Sequence, residues 1–211
     1  MNIVILNGSP HKKGTNAYLL DEFIHGAKEA GHSIYRFDAA FKKVHPCIAC
    51  DKCGCGDNPC VFRDDMIELW PELENADIVV FASPLYYYSA TAQLLSVVAR
   101  FYAIDKRLKG SGKKAMLISS GTNPSDWAML GIQRNYEEAL MYLEWQDIGR
   151  VLARGCKTRE DAEEKGFGTM AYELGKNIKE ELKFWTPGGW VLDEAYDFFV
   201  GSDSRSAQVI A

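Results

Sequence analysis

Two hydrophobic patterns alternate along the chain. Short apolar or β-branched runs predict strands at Ile3 to Leu6, Ser33 to Phe37, Ile78 to Ala82, Lys114 to Ser119 and Ile148 to Ala153. The run Ile78-Val79-Val80-Phe81-Ala82 has no polar position, as expected of a central strand covered on both faces. Between these runs the period lengthens to that of a helix. Leu20, Phe23, Ile24 and Ala27 recur at i, i+3, i+4 and i+7 and predict a helix over 16–30 that Gly31 ends. Asp65, with Glu68 three residues later, predicts a capping box opening a helix that runs to Asn75. Leu94, Val97, Val98 and Phe101 give the next helix its buried stripe, and residues 127–143 form another. A last helix, capped by Thr158 and Asp161, carries the stripe Ala171, Leu174, Ile178 and Leu182.

Strands that alternate with helices in this way are parallel strands joined by crossovers, so the class is α/β. Five of them fit a doubly wound, three-layer αβα sheet of order 2-1-3-4-5. Residues 1–185 read as one domain with a cysteine-rich loop at 44–64, and residues 186–211 as a separate tail. That tail carries Trp190, Tyr196, Phe198 and Phe199, so it is expected to pack on its own domain or on a second subunit.

Composition narrows the function classes. With 211 residues, 47% hydrophobic and 25% charged, the chain is neither disordered nor fibrous. The 24 Lys plus Arg against 29 Asp plus Glu give a formal charge of −5, which offers no general attraction to nucleic acid or anionic lipid. No apolar stretch reaches the roughly eighteen residues that a membrane span needs, and no basic leader precedes Ile3, so a cytoplasmic location is expected.

Candidate chemistry begins in the loop after the first strand, Asn7-Gly8-Ser9-Pro10-His11-Lys12-Lys13-Gly14-Thr15-Asn16. In an open α/β sheet this loop sits at the carboxyl ends of the strands, where free amides, hydroxyls and the helix dipole favour an anion. Five residues separate Gly8 from Gly14 and no Lys follows Gly14, which disfavours a Walker loop; the dinucleotide fingerprint G-x-G-x-x-G is also absent. A plain turn and helix cap is the competing reading of the loop taken alone. The end of the third strand, Ser83-Pro84-Leu85-Tyr86-Tyr87-Tyr88-Ser89-Ala90, adds an aromatic surface beside it, because strands one and three flank the switch point of such a sheet. Together the two segments suit a flat heterocycle carrying a phosphate. The loop Ser119 to Pro124, which contains Gly121, ends strand four on the same edge and is placed to close over the ring.

Three motifs in order, Gly8-Ser9-Pro10, the segment from Cys47 to Asp65, and Ser83-Pro84-x-Tyr86 followed by Ser89-Ala90-x-Ala92-Gln93-Leu94, resemble the NADPH-dependent FMN reductase family, especially its iron-sulfur flavoprotein branch. The resemblance extends over about residues 1–182 and implies a flavodoxin-like fold. It implies that Ser9, His11, Thr15, Asn16 and Ala17 contact an FMN phosphate and that Pro84, Leu85, Tyr86 and Tyr87 lie along the flavin ring. Relatives often carry Arg where His11 stands, which shifts charge compensation to Lys12 or to the helix dipole. They also tend to carry Lys and Asp-Arg where this chain has Leu95 and Ala99-Arg100.

Five of the six cysteines fall between Cys47 and Cys60. Cys47, Cys50, Cys53 and Cys60 follow C-x2-C-x2-C-x6-C, with Cys55 as a spare, a spacing that resembles the compact motif of iron-sulfur flavoproteins and would hold a 4Fe-4S cluster. Tetrahedral zinc, a Cys-x-x-Cys disulfide and free thiols packing the loop are the alternatives. His25, His32 and His45 have no ligand-spaced partners and read as surface or packing residues. Asp64-Asp65 reads as helix capping, and Trp127 as a core residue before a wall of the flavin site. The resemblance implies an FMN-dependent oxidoreductase that takes hydride from NAD(P)H and passes electrons to a quinone, nitro compound, flavin or protein acceptor, needs no side-chain nucleophile, and forms a homo-oligomer that completes the cleft. The rival is an electron carrier that exchanges single electrons with a ferredoxin-like partner. A redox-sensing module with bound flavin and no turnover is the third reading.

Overall fold

Five parallel strands form the centre of the computed structural model, in the order β2-β1-β3-β4-β5. They are β1 (Asn2–Asn7), β2 (Ser33–Asp38), β3 (Ile78–Pro84), β4 (Lys114–Ser120) and β5 (Gln146–Ala153). The structure describes residues 1–54 and 59–178. Cys55, Leu182 and the tail at 186–211 lie outside the described residues. The strand order and the parallel pairing are those expected from the alternation of patterns, and every residue of β3 from Ile78 to Ser83 is buried.

Helices cover both faces. On one side α1 (Thr15–Glu29), α6 (Arg159–Glu164) and α7 (Phe167–Lys176) close a core around Leu19, Phe23, Ile5, Val80 and Val151. The opposite core holds Leu6, Phe37, Leu69, Val79, Phe101 and Tyr136 beneath α2 (Met66–Asn75), α3 (Ala92–Ala99) and α5 (Leu130–Leu143). The short α4 (Asp105–Leu108) follows a 3-10 turn at Arg100–Ile104, which extends α3 far enough to bury Phe101. α1 and α7 cross in close contact because both present glycine: a Cβ on Gly26 would stand 2.1 Å from the Tyr172 carbonyl oxygen, and one on Gly175 2.2 Å from that of Phe23.

Three local expectations change. The capping box at Asp65 and Glu68 does not form: the Asp65 carboxylate accepts instead from the Lys43 amide at 2.7 Å, and Glu68 pairs with Lys42. Long-range partners outcompete the local cap. The last helix is two, because Gly166 takes a left-handed φ of 75° between α6 and α7; the Thr158 and Asp161 capping box at its start does form. Trp127 lies in a 3-10 turn (Asp126–Met129) before α5 and is 54% exposed, which corrects its reading as a core residue.

Candidate functional site

The carboxyl ends of β1, β3 and β4 bring the three candidate loops to one edge, as parallel strands must. Asn7 is in register with Ala82, and the Gly8 amide donates to the Ala82 carbonyl at 2.8 Å. Thr91, which caps α3, donates from Oγ1 to the Gly8 carbonyl at 2.8 Å, and its own amide donates to Ser83 Oγ at 2.9 Å. The third loop is fastened likewise: the Leu85 amide donates to Ser120, and Ser119 Oγ donates to Ser83, each at 2.8 Å. Gly121 packs so closely on this segment that a Cβ there would lie 2.9 Å from Leu85 Cδ1.

Within the first loop, the N-cap of α1 is Gly14, which has no side chain to bond the first-turn amides, and no acidic residue occupies that turn. The helix therefore presents amides and the positive end of its dipole where Thr15, Asn16 and Ala17 begin it. Ser9 is buried; its amide donates to Asn7 Oδ1 at 3.1 Å, and its Oγ accepts from the His11 amide at 3.3 Å. Asn16 Nδ2 donates to the same Asn7 oxygen at 3.3 Å, which leaves Asn16 Oδ1 buried with no donor among the described residues. His11 and Lys12 are exposed, and the Lys12 ammonium stands 4.6 Å from the centre of the Phe41 ring.

The tyrosine triplet is a tight turn rather than an extended strand end. The Tyr86 amide donates to Ser89 at 2.9 Å and the Ser89 amide back to Tyr86 at 3.2 Å, with Tyr87 and Tyr88 both left-handed at φ of 48° and 63°. Such a turn favours Asn and Gly, and two tyrosines in it carry backbone strain of the kind that collects at functional sites. Tyr87 is fully exposed, while Tyr88 rests against Trp127 with ring centres 4.8 Å apart. Spacing alone carried no signal for this turn, because tyrosine is not a turn residue.

The four cysteines Cys47, Cys50, Cys53 and Cys60 line one cavity of about 560 Å³, together with Ile48, Val61, Phe62, Ala99, Arg100 and Tyr102 among others. Ala49, Asp51 and Gly54 take left-handed conformations between these cysteines, and the Ala49 amide donates to Cys47 Sγ at 3.5 Å. Burial, and then the neighbouring Cys60, Cys47 and Cys50, push the Cys53 thiol up. Among the described residues no three His, Cys, Asp or Glu side chains converge to metal-ligand geometry. Cys156 is buried in the core beneath α1, α6 and α7, its thiol 3.3 Å from the Arg154 carbonyl.

Arg100, at 2% exposure, is the functional candidate that spacing missed. Its guanidinium makes a two-point pair with Asp64, NH1 to Oδ2 at 2.8 Å and NH2 to Oδ1 at 3.2 Å, and donates to the His45 carbonyl at 2.9 Å. Burial works to raise the Asp64 carboxyl; hydrogen bonds from Arg100 and from the His45 and Met66 amides outweigh it and hold the group below its ordinary value. Asp64 does bond the Met66 amide at the start of α2, so its capping role is present beside this larger one. The histidines keep packing or surface roles: His25 pairs with Glu29 at 3.2 Å, His32 lies beside the N-terminal ammonium, and His45 stacks on Phe62.

The chain is 32% identical over 123 residues to an iron-sulfur flavoprotein of Archaeoglobus fulgidus, covering 57% of this chain and 56% of that one. To one from Methanocaldococcus jannaschii it is 30% identical over 127 residues, covering 58% and 64%. The match thus spans somewhat more than half the length of these relatives. Among solved structures, an NAD(P)H:quinone oxidoreductase from Methanothermobacter marburgensis superposes with a TM-score of 0.68 at 18% identity, covering 87% of this chain and 98% of that one, which is a likeness of fold. The family model for NADPH-dependent FMN reductase matches residues 1–158, and on that match the chain belongs to the NADPH-dependent FMN reductase family.

Proposed function

We propose that this protein is an FMN-dependent oxidoreductase whose flavin binds across the edge formed by the loops after β1, β3 and β4. The observation that carries this reading is the pairing of the uncapped α1 start with the tyrosine turn, tied together by the Thr91 to Gly8 hydrogen bond. The residues present fit the group. First-turn amides at Thr15, Asn16 and Ala17, with the Ser9 and Thr15 hydroxyls, would hold the phosphate, the nearby Lys12 would add positive charge, and His11 would border it. Asn16 Oδ1 is an orphaned buried acceptor, so it suits a hydroxyl of the ribityl chain better than a phosphate oxygen. Pro84, Leu85, Tyr86, Tyr87 and Gly121 would border the ring.

FMN held there supplies hydride chemistry, from a reduced nicotinamide to a quinone, nitro compound, flavin or protein acceptor. The chain's own task is to orient the ring, to present backbone donors where negative charge grows on it, and to leave one face open for donor and acceptor in turn. No side-chain nucleophile is required. Stopped-flow mixing of the FMN-loaded protein with NADPH and with NADH tests the reading: bleaching of the flavin band by either one supports it, and a flavin band that neither one bleaches overturns the nicotinamide half. A homodimer completing the cleft belongs to the same proposal, and a monodisperse monomer at micromolar concentration in light scattering counts against it.

A second reading is favoured by the four cysteines on one cavity: an iron-sulfur flavoprotein that exchanges single electrons with a ferredoxin-like partner. The donor set fits in kind, since four thiols line one cavity and the left-handed Ala49 donates its amide to Cys47 Sγ. Cys47, Cys50, Cys53 and Cys60 would hold a 4Fe-4S cluster, which supplies one-electron transfer. Anaerobic purification with iron, sulfide and zinc analysis separates this from a zinc or metal-free loop.

A further inference from the structure

Arg100 is bonded to both ends of the cysteine loop. Its guanidinium takes the His45 carbonyl, two residues before Cys47, and the Asp64 carboxylate, four residues after Cys60; the His45 amide also donates to Asp64 Oδ2 at 2.9 Å. The loop is thus cinched at its neck by one side chain delivered from the end of α3, across 55 and 36 residues of sequence. Phe62 and Trp70 flank the guanidinium, with ring centres 5.2 and 5.9 Å from it. A guanidinium in apolar surroundings is costly unless its donors are met, and two of the three nitrogens are. The third, Nε, is buried with no acceptor among the described residues, on a side chain that lines the cysteine cavity.

These facts have one common explanation. Closing a flexible loop costs entropy that grows with its length, and a ligand set scattered along such a loop binds weakly unless its ends are already held together. Four thiolates also bring negative charge to a cavity of mostly apolar lining, where a fixed cation opposes the cost of gathering them. We propose that Arg100 is the positioning residue of the cysteine site. It clasps the neck of the loop, holds Cys47, Cys50, Cys53 and Cys60 around one cavity, and offers its unmet Nε–H and its charge to the sulfur ligands that assemble there. The proposal rests on the reading of these four cysteines as metal ligands, and the clasp itself is testable without metal.

Replacing Arg100 alone would strand the Asp64 charge and endanger the fold, so the test uses the paired replacement Arg100→Met with Asp64→Leu, which leaves no buried charge unpaired. Arg100→Lys is its companion, keeping charge but not the fork. FMN binding, read by fluorescence, reports that each variant is folded. In the metal-free, FMN-loaded protein, trypsin cleavage after Lys52 is expected to be about tenfold faster in the paired variant than in the parent, because cleavage follows opening of the loop. After anaerobic reconstitution with ferrous iron and sulfide, the paired variant is expected to lose iron to a chelator about tenfold faster. Its cluster midpoint potential should be more negative, since the Nε–H donor is lost and, of the two charges removed, that of Arg100 is the one lining the cavity, whereas Arg100→Lys should stay closer to the parent. A paired variant that resists trypsin, retains iron and keeps the parental potential overturns the proposal. If the parent takes up no iron, the metal-ligand reading fails, and unchanged cleavage at Lys52 then removes the clasp as well.

Discussion

Thr91 Oγ1 donates to the Gly8 carbonyl at 2.8 Å, joining two residues that are 83 positions apart in sequence. The same oxygen accepts from the Leu94 amide at 3.4 Å, so one hydroxyl caps α3 and anchors the loop that precedes α1. Both bonds are buried. Thr91→Val keeps the shape, removes the cap and leaves the Gly8 carbonyl unmet, at a cost of about 1–3 kcal/mol. Urea denaturation of the FMN-free protein should show that loss, and FMN affinity should fall with it; unchanged values for both would mean the two loops are held by something else.

Thr15→Asp places a carboxylate at the uncapped start of α1, where the proposed phosphate sits. Like charges at that distance should weaken FMN binding by about 3 kcal/mol or more, roughly a hundredfold, in a fluorescence titration. Stability of the free protein should rise slightly, because a carboxylate suits a helix N-terminus. Opposite signs for binding and stability are the mark of an anion site.

Tyr87 is fully exposed and left-handed, so Tyr87→Asn sacrifices no packing and relieves backbone strain. A gain of about 0.5–1 kcal/mol in stability is expected. If the protruding ring serves the flavin or its reaction partners, turnover should fall while stability rises, and steady-state kinetics beside a denaturation curve checks both.

The Asp64 carboxyl lies below its ordinary value of 3.8 in the folded protein, so its share of stability is complete at pH values above 3.8 and is lost as pH falls through the depressed folded value. Asp64→Asn should cost about 3–5 kcal/mol at neutral pH, because it leaves Arg100 buried without its partner, and should flatten this part of the acid limb. Denaturation midpoints measured across the acidic range decide it.

Cys60→Ser should lower the iron retained after anaerobic reconstitution to less than half of the parental amount, while Cys156→Ser, in the core beneath α1, α6 and α7, should leave it unchanged. Equal iron in both variants would take Cys60 out of the ligand set.

Much of the architecture was legible in the residue pattern. Each strand and helix is written by neighbours a few positions apart, so the all-apolar Ile78 to Ala82 run announced a central strand, and the Leu20, Phe23, Ala27 stripe announced α1. Strand alternation then left the parallel order 2-1-3-4-5 as the expected sheet, and with it the shared edge of the three loops. Spacing likewise singled out the cysteines that line one cavity. What tertiary structure decided are the matters settled by partners far apart in sequence. Spacing gave Arg100 no role beyond the comparison of Ala99-Arg100 with relatives, and only Asp64 and His45, brought in by the fold, give it one, while Asp65 gave up its cap for the Lys43 amide. Tyr87 and Tyr88 hold a turn that their side chains disfavour. At Arg100 burial makes the choice, because a polar group taken out of water must bond whatever the fold brings within reach, and local spacing says nothing about which group that will be.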